Sequence, residues 1–206
     1  MQNVIDEVNV ESGAGIINPD MLYTGVGQEK LVCPSLNGGK NYHASTYSPL
    51  SGVMYIPLHN TCMTATSNSE VWQPDDAYAI DTLVQLPPGV ENAGSIEAIS
   101  ATTGETVWKR EQRAATTSLM TTGSGLLFGG DAYGRFRAYD ELTGEILWEV
   151  NLGSHVTGYP ATFAVDGKQY MAISTGGSLN TLSLLSLAPE LRAGTANSLY
   201  VFALPD

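Results

Sequence analysis

Apolar and polar residues alternate along the stretch "FRAYDELTGEILWEV", Phe136 to Val150. Phe136, Ala138 and Tyr139 precede a polar turn, and Ile146, Leu147, Trp148 and Val150 follow it. The turn is Asp140-Glu141-Leu142-Thr143-Gly144. Gly144 can supply a positive φ that Thr or Leu could not hold cheaply. The pattern predicts strand, tight turn, strand. A weaker copy, "GSIEAISATTGETVWKREQ", runs from Gly94 to Gln112. Its Ala98, Gly104 and Trp108 recur 40 residues later as Ala138, Gly144 and Trp148. A period of about 40 residues marks repeat architecture, and four-stranded propeller blades have about this period. No segment shows sustained 3.6-residue periodicity, so the pattern predicts blades and not helices.

Further hairpins follow the same logic. "YSPLSGVMYIPL", Tyr47 to Leu58, is a degraded third copy with Gly52 in its turn. "ATFAVDGKQYMAIST", Ala161 to Thr175, carries an Asp166-Gly167 turn between two apolar runs, the strongest hairpin signal in the chain. "NSLYVFAL", Asn197 to Leu204, closes with one more strand. About four sheet units fit residues 1–206, read as one all-β segment.

The chain has 206 residues, enough to bury a core, with 43% hydrophobic and 15% charged residues and 22 glycines to suit many tight turns. The formal charge of −12 and the absence of a basic patch argue against nucleic acid as a partner. Asp6, Glu7, Asp20, Glu29, Asp75 and Asp76 lack calcium-loop spacing and read as solvated charges. No apolar run is long enough for a membrane span, and "MQNVIDEVNVES" has neither the basic start nor the apolar core of a secretory signal. "GSGLLFGG" and "GDAYG" lie between strands, so neither reads as a phosphate loop. His43, His59 and His155 are scattered, and no Ser-His-Asp arrangement is legible. Met63, Met120 and Met171 read as core filler. Cys33 and Cys62 flank a strand-turn-strand that could bring them close; on the residues alone a bridge and two free thiols both stay open.

Longer motifs carry a resemblance. "CPSLNGGKNYHASTYSPLSGVMYIPLHNTCM" (Cys33 to Met63), "GSIEAISATTGETVWK", "GLLFGGDAYGRFRAYDELTGEILWEVNLG" and "GYPATFAVDGKQYMAISTGG" resemble, in order, the second half of pyrroloquinoline quinone (PQQ)-dependent alcohol dehydrogenases of the methanol and ethanol dehydrogenase type. The resemblance runs from about Lys30 to the C-terminus. It implies an all-β fold, with the chain forming about the last four blades of an eight-bladed β-propeller. The Gly-to-Trp sentence then resembles the family's docking motif, in which each Trp ties one blade to the next. Trp108, Trp148, Gly104 and Gly144 would be structural docking residues.

The resemblance also implies chemistry. In that family the quinone carbonyl abstracts hydride from an alcohol carbon, a calcium or lanthanide ion polarises the carbonyl, and an aspartate is the base. The Asn of "GGKNY" matches a cofactor contact, which makes Asn41 the candidate cofactor-binding residue. Its amide can donate and accept, which suits quinone and carboxylate oxygens; the competing reading is an Asn that stabilises a turn beside Gly-Gly. Tyr42 stands where relatives often carry Trp. Cys33 and Cys62 match family cysteines, which implies a disulfide and an oxidising compartment, the periplasm.

Departures from the family pattern are as informative. Its metal-binding Glu and Asn, catalytic Asp, adjacent-cysteine ring, Trp platform and quinone-facing basic residue have no match in the roughly forty residues before "GGKNY". No catalytic residue and no metal ligand is therefore assigned to this chain. Thr116, and Ser178-Leu179-Asn180, stand where methanol-oxidising relatives have Trp, which points to another alcohol. The expectation is the C-terminal half of a periplasmic dehydrogenase that oxidises an alcohol to an aldehyde and passes electrons to a cytochrome c or quinone. Alone it would be inactive, and it would need the N-terminal half or a second copy. The competing class is a non-catalytic β-propeller scaffold or binding protein.

Overall fold

The computed structural model describes residues 2–69, 79–177, 184 and 186–203. Trp72, Asp75, Asp76 and Ser178 to Asn180 lie outside the described residues, as does the side chain of Thr116. Among the described residues the regular structure is β apart from one 3-10 turn at Pro19–Met21 and a single helical residue, Leu184. In chain order the strands are β1 (Ile5–Val8), β2 (Gly15–Ile17), β3 (Glu29–Val32), β4 (Thr46–Ser48), β5 (Val53–His59), β6 (Cys62–Ser69), β7 (Ala79–Gln85) and β8 (Gly94–Ser100). They continue as β9 (Thr106–Gln112), β10 (Thr116–Thr121), β11 (Leu126–Asp131), β12 (Arg135–Asp140), β13 (Ile146–Asn151), β14 (Ala161–Val165), β15 (Lys168–Thr175) and β16 (Ser198–Ala203).

The strands fall into two compact units, one of residues 1–39 and 60–90, the other of residues 40–59 and 91–206. The first unit holds the exposed β1-β2 ribbon and a sheet of order β3-β6-β7. The β3–β6 ladder pairs Val32 with Met63, so the next rung sets Cys33 against Cys62. They form a disulfide with Cα atoms 4.4 Å apart, and both are fully buried.

The second unit holds two four-stranded sheets, β4-β5-β8-β9 and β10-β11-β12-β13, and a three-stranded sheet, β14-β15-β16. The hairpins read at Gly94–Gln112, Phe136–Val150 and Ala161–Thr175 fall one to each of these sheets, while the degraded copy at Tyr47–Leu58 joins the first of them instead of building its own. In β5 the residues Val53, Tyr55, Pro57 and His59 alternate inward. Pro57, which has no N–H, lies beyond the stretch where β4 pairs, so its missing donor breaks no ladder. β14 and β15 meet through Asp166 and Gly167 at φ values of 51° and 81°, the two positive values a type I′ turn requires.

One core lies on each face of the β10-to-β13 sheet. On one side Val53, Tyr55, Ile96 and Ala98 pack with Leu119, Leu127 and Tyr139. On the other, Phe136 packs with Leu152, Val156, Met171 and Ile173, with Met120 against them. This explains why Phe136, Arg137, Ala138 and Tyr139 are all buried: β12 is covered on both faces, so the period-two alternation is lost in its burial.

Candidate functional site

The candidate residue Asn41 sits on the loop between Lys40 and β4. The loop is tied together from inside. The Lys40 ammonium donates to the carbonyl of Asn41 at 2.6 Å and also to that of His43. Asn41 Oδ1 accepts from the Tyr42 N–H at 2.7 Å. The Tyr42 ring is 51% exposed and stacks on the His43 imidazole, with centroids 4.3 Å apart. His43 in turn meets His59 edge-on at 5.1 Å. Beyond the loop, the Ala44 N–H donates to Ser118 Oγ at 3.1 Å, and its carbonyl accepts from Leu119 at 2.9 Å, which pins the segment to β10.

Burial decides the protonation of this loop. His43 is 2% exposed, and burial, followed by the nearby His59 and Lys40, pushes its pKa down from 6.5 to about 4. It is neutral near pH 7. Burial also lowers Lys40 and His155. Among the described residues neither ring nitrogen of His43 or of His155 finds a hydrogen-bond partner, nor does the hydroxyl of buried Thr117. Buried polar groups of this kind call for a partner of their own.

These residues fit a flat polyanionic quinone in part. An ammonium, an amide and an exposed aromatic ring lie on consecutive residues, and the ring stacks on buried His43, whose nitrogens have no partner among the described residues. A metal ion finds no such support: among the described residues no three or more His, Cys, Asp and Glu side chains converge to hold one. Sequence reading passed over Lys40 and His43. The motif "GGKNY" displays Lys40, but its fold back onto two carbonyls has no signature in residue type.

The Trp and Gly pairs behave differently in the two repeats. Trp108, on β9, is half-buried, and its Nε1 donates to the carbonyl of Glu141 at 2.9 Å. Arg110 Nη1 donates to the Gly144 carbonyl at 3.0 Å and Tyr55 Oη to the Glu141 carbonyl at 2.8 Å. The carbonyls of one turn of the β12–β13 hairpin thus receive three donors from the preceding sheet, and Ser48 Oγ on β4 donates to Glu141 Oε1 at 3.1 Å. Trp148 meets Phe136 and Phe202 edge-on at 6.2 and 5.4 Å and is 40% exposed. It borders an open groove of about 490 Å³, lined also by Phe128, Tyr170 and Met171.

Residues 92–171 match the family model described as "PQQ: Glucose/ethanol/alcohol dehydrogenase, beta-propeller domain". The chain is 30% identical over 207 residues to the 1-butanol dehydrogenase (cytochrome c) of Thauera butanivorans, covering 94% of this chain and 29% of that protein. It is 33% identical over 153 residues to the lanthanide-dependent methanol dehydrogenase of Methylacidiphilum fumariolicum, covering 71% and 25%. A solved europium-containing methanol dehydrogenase superposes with a TM-score of 0.85 at 27% identity, covering 99% of this chain and 40% of that one. The chain therefore spans less than a third of the length of the curated relatives it matches. With the sheets, the repeated turn and these likenesses together, the chain belongs to the PQQ-dependent quinoprotein alcohol dehydrogenase family, of whose β-propeller it forms a part.

Proposed function

We propose that this chain is the C-terminal part of a dehydrogenase that oxidises an alcohol to an aldehyde and passes the electrons to a cytochrome c or a quinone. The observation that carries the reading is the loop of Lys40 to His43, fixed from within and ending in a buried imidazole that has no partner among the described residues. PQQ, with calcium or a lanthanide, would supply the hydride acceptor when bound. The chain's own part is to hold and orient it. Asn41 contributes its amide, Lys40 a positive charge toward cofactor carboxylates, and Tyr42 a flat wall. The base and the metal ligands are assigned to the rest of the parent protein.

The isolated chain is accordingly read as inactive, completed by the N-terminal part of the propeller or by a second copy. The Gly104 turn supports this: no atom of the described residues lies within 4 Å of a Cβ built there, whereas Trp108 covers the equivalent Gly144. Thr116 and Ser178 to Asn180 favour an alcohol other than methanol, and the Cys33–Cys62 bridge favours the periplasm.

A dye-linked assay with short primary alcohols, PQQ and calcium or a lanthanide tests the reading. The chain alone should match the cofactor-only blank, and the intact parent should turn over. In the parent, Asn41→Ala should fold yet retain PQQ less well in equilibrium dialysis. Unchanged PQQ retention would remove Asn41 from the site, and a parent that neither binds PQQ nor oxidises alcohols would favour a non-catalytic scaffold.

A further inference from the structure

In a chain of formal charge −12 with nine basic residues, four arginines line one cleft of about 250 Å³ in the second unit. Arg110 comes from β9, Arg113 follows that strand, and Arg135 and Arg137 lie on β12. Three of them are matched by acids. Arg137, 8% exposed, reaches Asp131 at 2.8 Å and Glu149 at 2.6 Å. Arg135 shares Glu149 at 2.7 Å. Arg113 forks onto Glu190 at 2.6 and 3.2 Å and donates to the carbonyls of Glu91 and Leu187.

Arg110 differs. It donates to the carbonyl of Gly144 and lies 6.0 Å over the Tyr139 ring, and no described carboxylate forms an ion pair with it. Glu111, beside it, is engaged by Lys109 at 3.7 Å and by Asn92 at 2.9 Å. With Glu111 counted, four guanidiniums meet four carboxylates at one cleft, and Arg110 is the guanidinium that no described carboxylate pairs.

An ion-pair lattice that holds neighbouring strands together accounts for Arg113 and Arg137, each fixed by several bonds. It does not account for Arg110, which has donors to spare. A guanidinium fork matches two oxygens of one carboxylate or phosphate. The overall negative charge opposes an anion, yet exposed charges beyond about 8 Å are screened at physiological salt, so the local arginines set the outcome. We propose that this cleft binds a small oxyanion, a phosphate or carboxylate group, with Arg110 as its direct ligand and buried Arg137 as the fixed cation of the floor.

Isothermal titration of the full chain with inorganic phosphate, and separately with citrate, tests this at constant ionic strength set by chloride. Saturable one-site binding of at least one of them is expected. Arg110→Gln should weaken it by about tenfold or more, and Arg110→Lys, which keeps the charge and loses the fork, should fall between. Phosphate alone binding assigns a tetrahedral oxyanion; citrate alone assigns a carboxylate, as an acidic side chain of a partner would present. No saturable heat from either, or equal binding by Arg110→Gln and the unaltered chain, overturns the proposal. Should Arg110→Gln not fold, amide shifts induced by phosphate in the unaltered chain decide: they must centre on Arg110, Tyr133 and Arg135, and shifts centred elsewhere overturn it.

Discussion

The indole of Trp108 closes over Gly144: a Cβ built on Gly144 would sit 2.8 Å from the ring's Cε3. Gly104, its counterpart one repeat earlier, has nearly the same backbone, φ +74° against +70°, and nothing among the described residues within 4 Å of its Cβ position. One substitution at two places therefore separates backbone strain from docking. Both Gly→Ala changes carry the left-handed penalty, roughly 1–2 kcal/mol. Gly144→Ala must also displace the ring, which adds about 1–3 kcal/mol, the scale of overpacking. Urea melts of the two variants check the difference; equal losses would mean that the ring gives way freely.

The two tryptophans should also separate. Removing a large buried aromatic costs about 3–5 kcal/mol. Trp108 is half-buried with a satisfied N–H, so Trp108→Ala is expected near the low end of that range. Trp148 is 40% exposed beside an open groove, so Trp148→Ala should cost less, about 1–2 kcal/mol, by the smaller area removed from water. Denaturation of both variants in parallel would refute the assignment if Trp148→Ala proved the more damaging.

That asymmetry marks the limit of what residue order can tell. The hairpins were legible because their partners are close in sequence: Asp166-Gly167 and the repeated Thr-Gly turns announce themselves locally. The pairing of β5 with β8 was not, since Val53 meets Ser100 across a segment that folds into a different sheet. Similar motifs around Trp108 and Trp148 do not reveal what covers each ring: Trp108 meets the backbone of the β12–β13 turn, whereas Trp148 meets the rings of Phe136 and Phe202. Arg137 escaped notice for a related reason. A charged residue in an alternating strand reads as solvent-facing, and only the cover on both faces of β12, with Asp131 and Glu149 at hand, makes its burial tolerable. For the site, "GGKNY" pointed to Asn41, while the ring ladder of Tyr42, His43 and His59 is visible only in the fold.

The Cys33–Cys62 bridge should stabilise the first unit. It closes a loop of 29 residues in the unfolded chain, worth about 3–4 kcal/mol on loop-closure entropy. Cys33→Ser with Cys62→Ser should lower stability by that order, and amide exchange should accelerate first in β3 and β6. Two alkylatable thiols in unreduced protein from an oxidising compartment would contradict the bridge.

Acid should destabilise the chain through its buried imidazoles. In the fold His43 titrates at about 4 against an ordinary 6.5, so the unfolded chain takes up the proton first. Stability from the neutral ring is present above about pH 6.5 and is lost as pH falls from there toward 4. The size is on the order of 3 kcal/mol at the acid end. His43→Phe keeps a flat ring against Tyr42 and removes the titration, so its stability should fall less steeply over that window than that of the unaltered chain. Parallel pH profiles would mean that His43 gains a proton in the folded state without penalty.

The isolated chain should associate. The turn at Gly104 has no ring over it, and Val107 beside it is 53% exposed. Among the described strands β16 pairs with β15 alone, which leaves its other edge open, and Leu199 and Val201 on it are 70% and 51% exposed. Phe128, Trp148 and Phe202 add the apolar wall of the 490 Å³ groove. Exposed apolar patches and free strand edges both drive association. The charge of −12 opposes it at a distance, but screening over about 8 Å leaves surfaces in contact unprotected. Light scattering coupled to size exclusion should therefore give a mass above 21.9 kDa, and a chain carrying the N-terminal part of the propeller should bind and suppress that association. A stable 21.9 kDa monomer that unfolds cooperatively and binds no hydrophobic dye would refute the half-propeller reading and favour a compact independent domain.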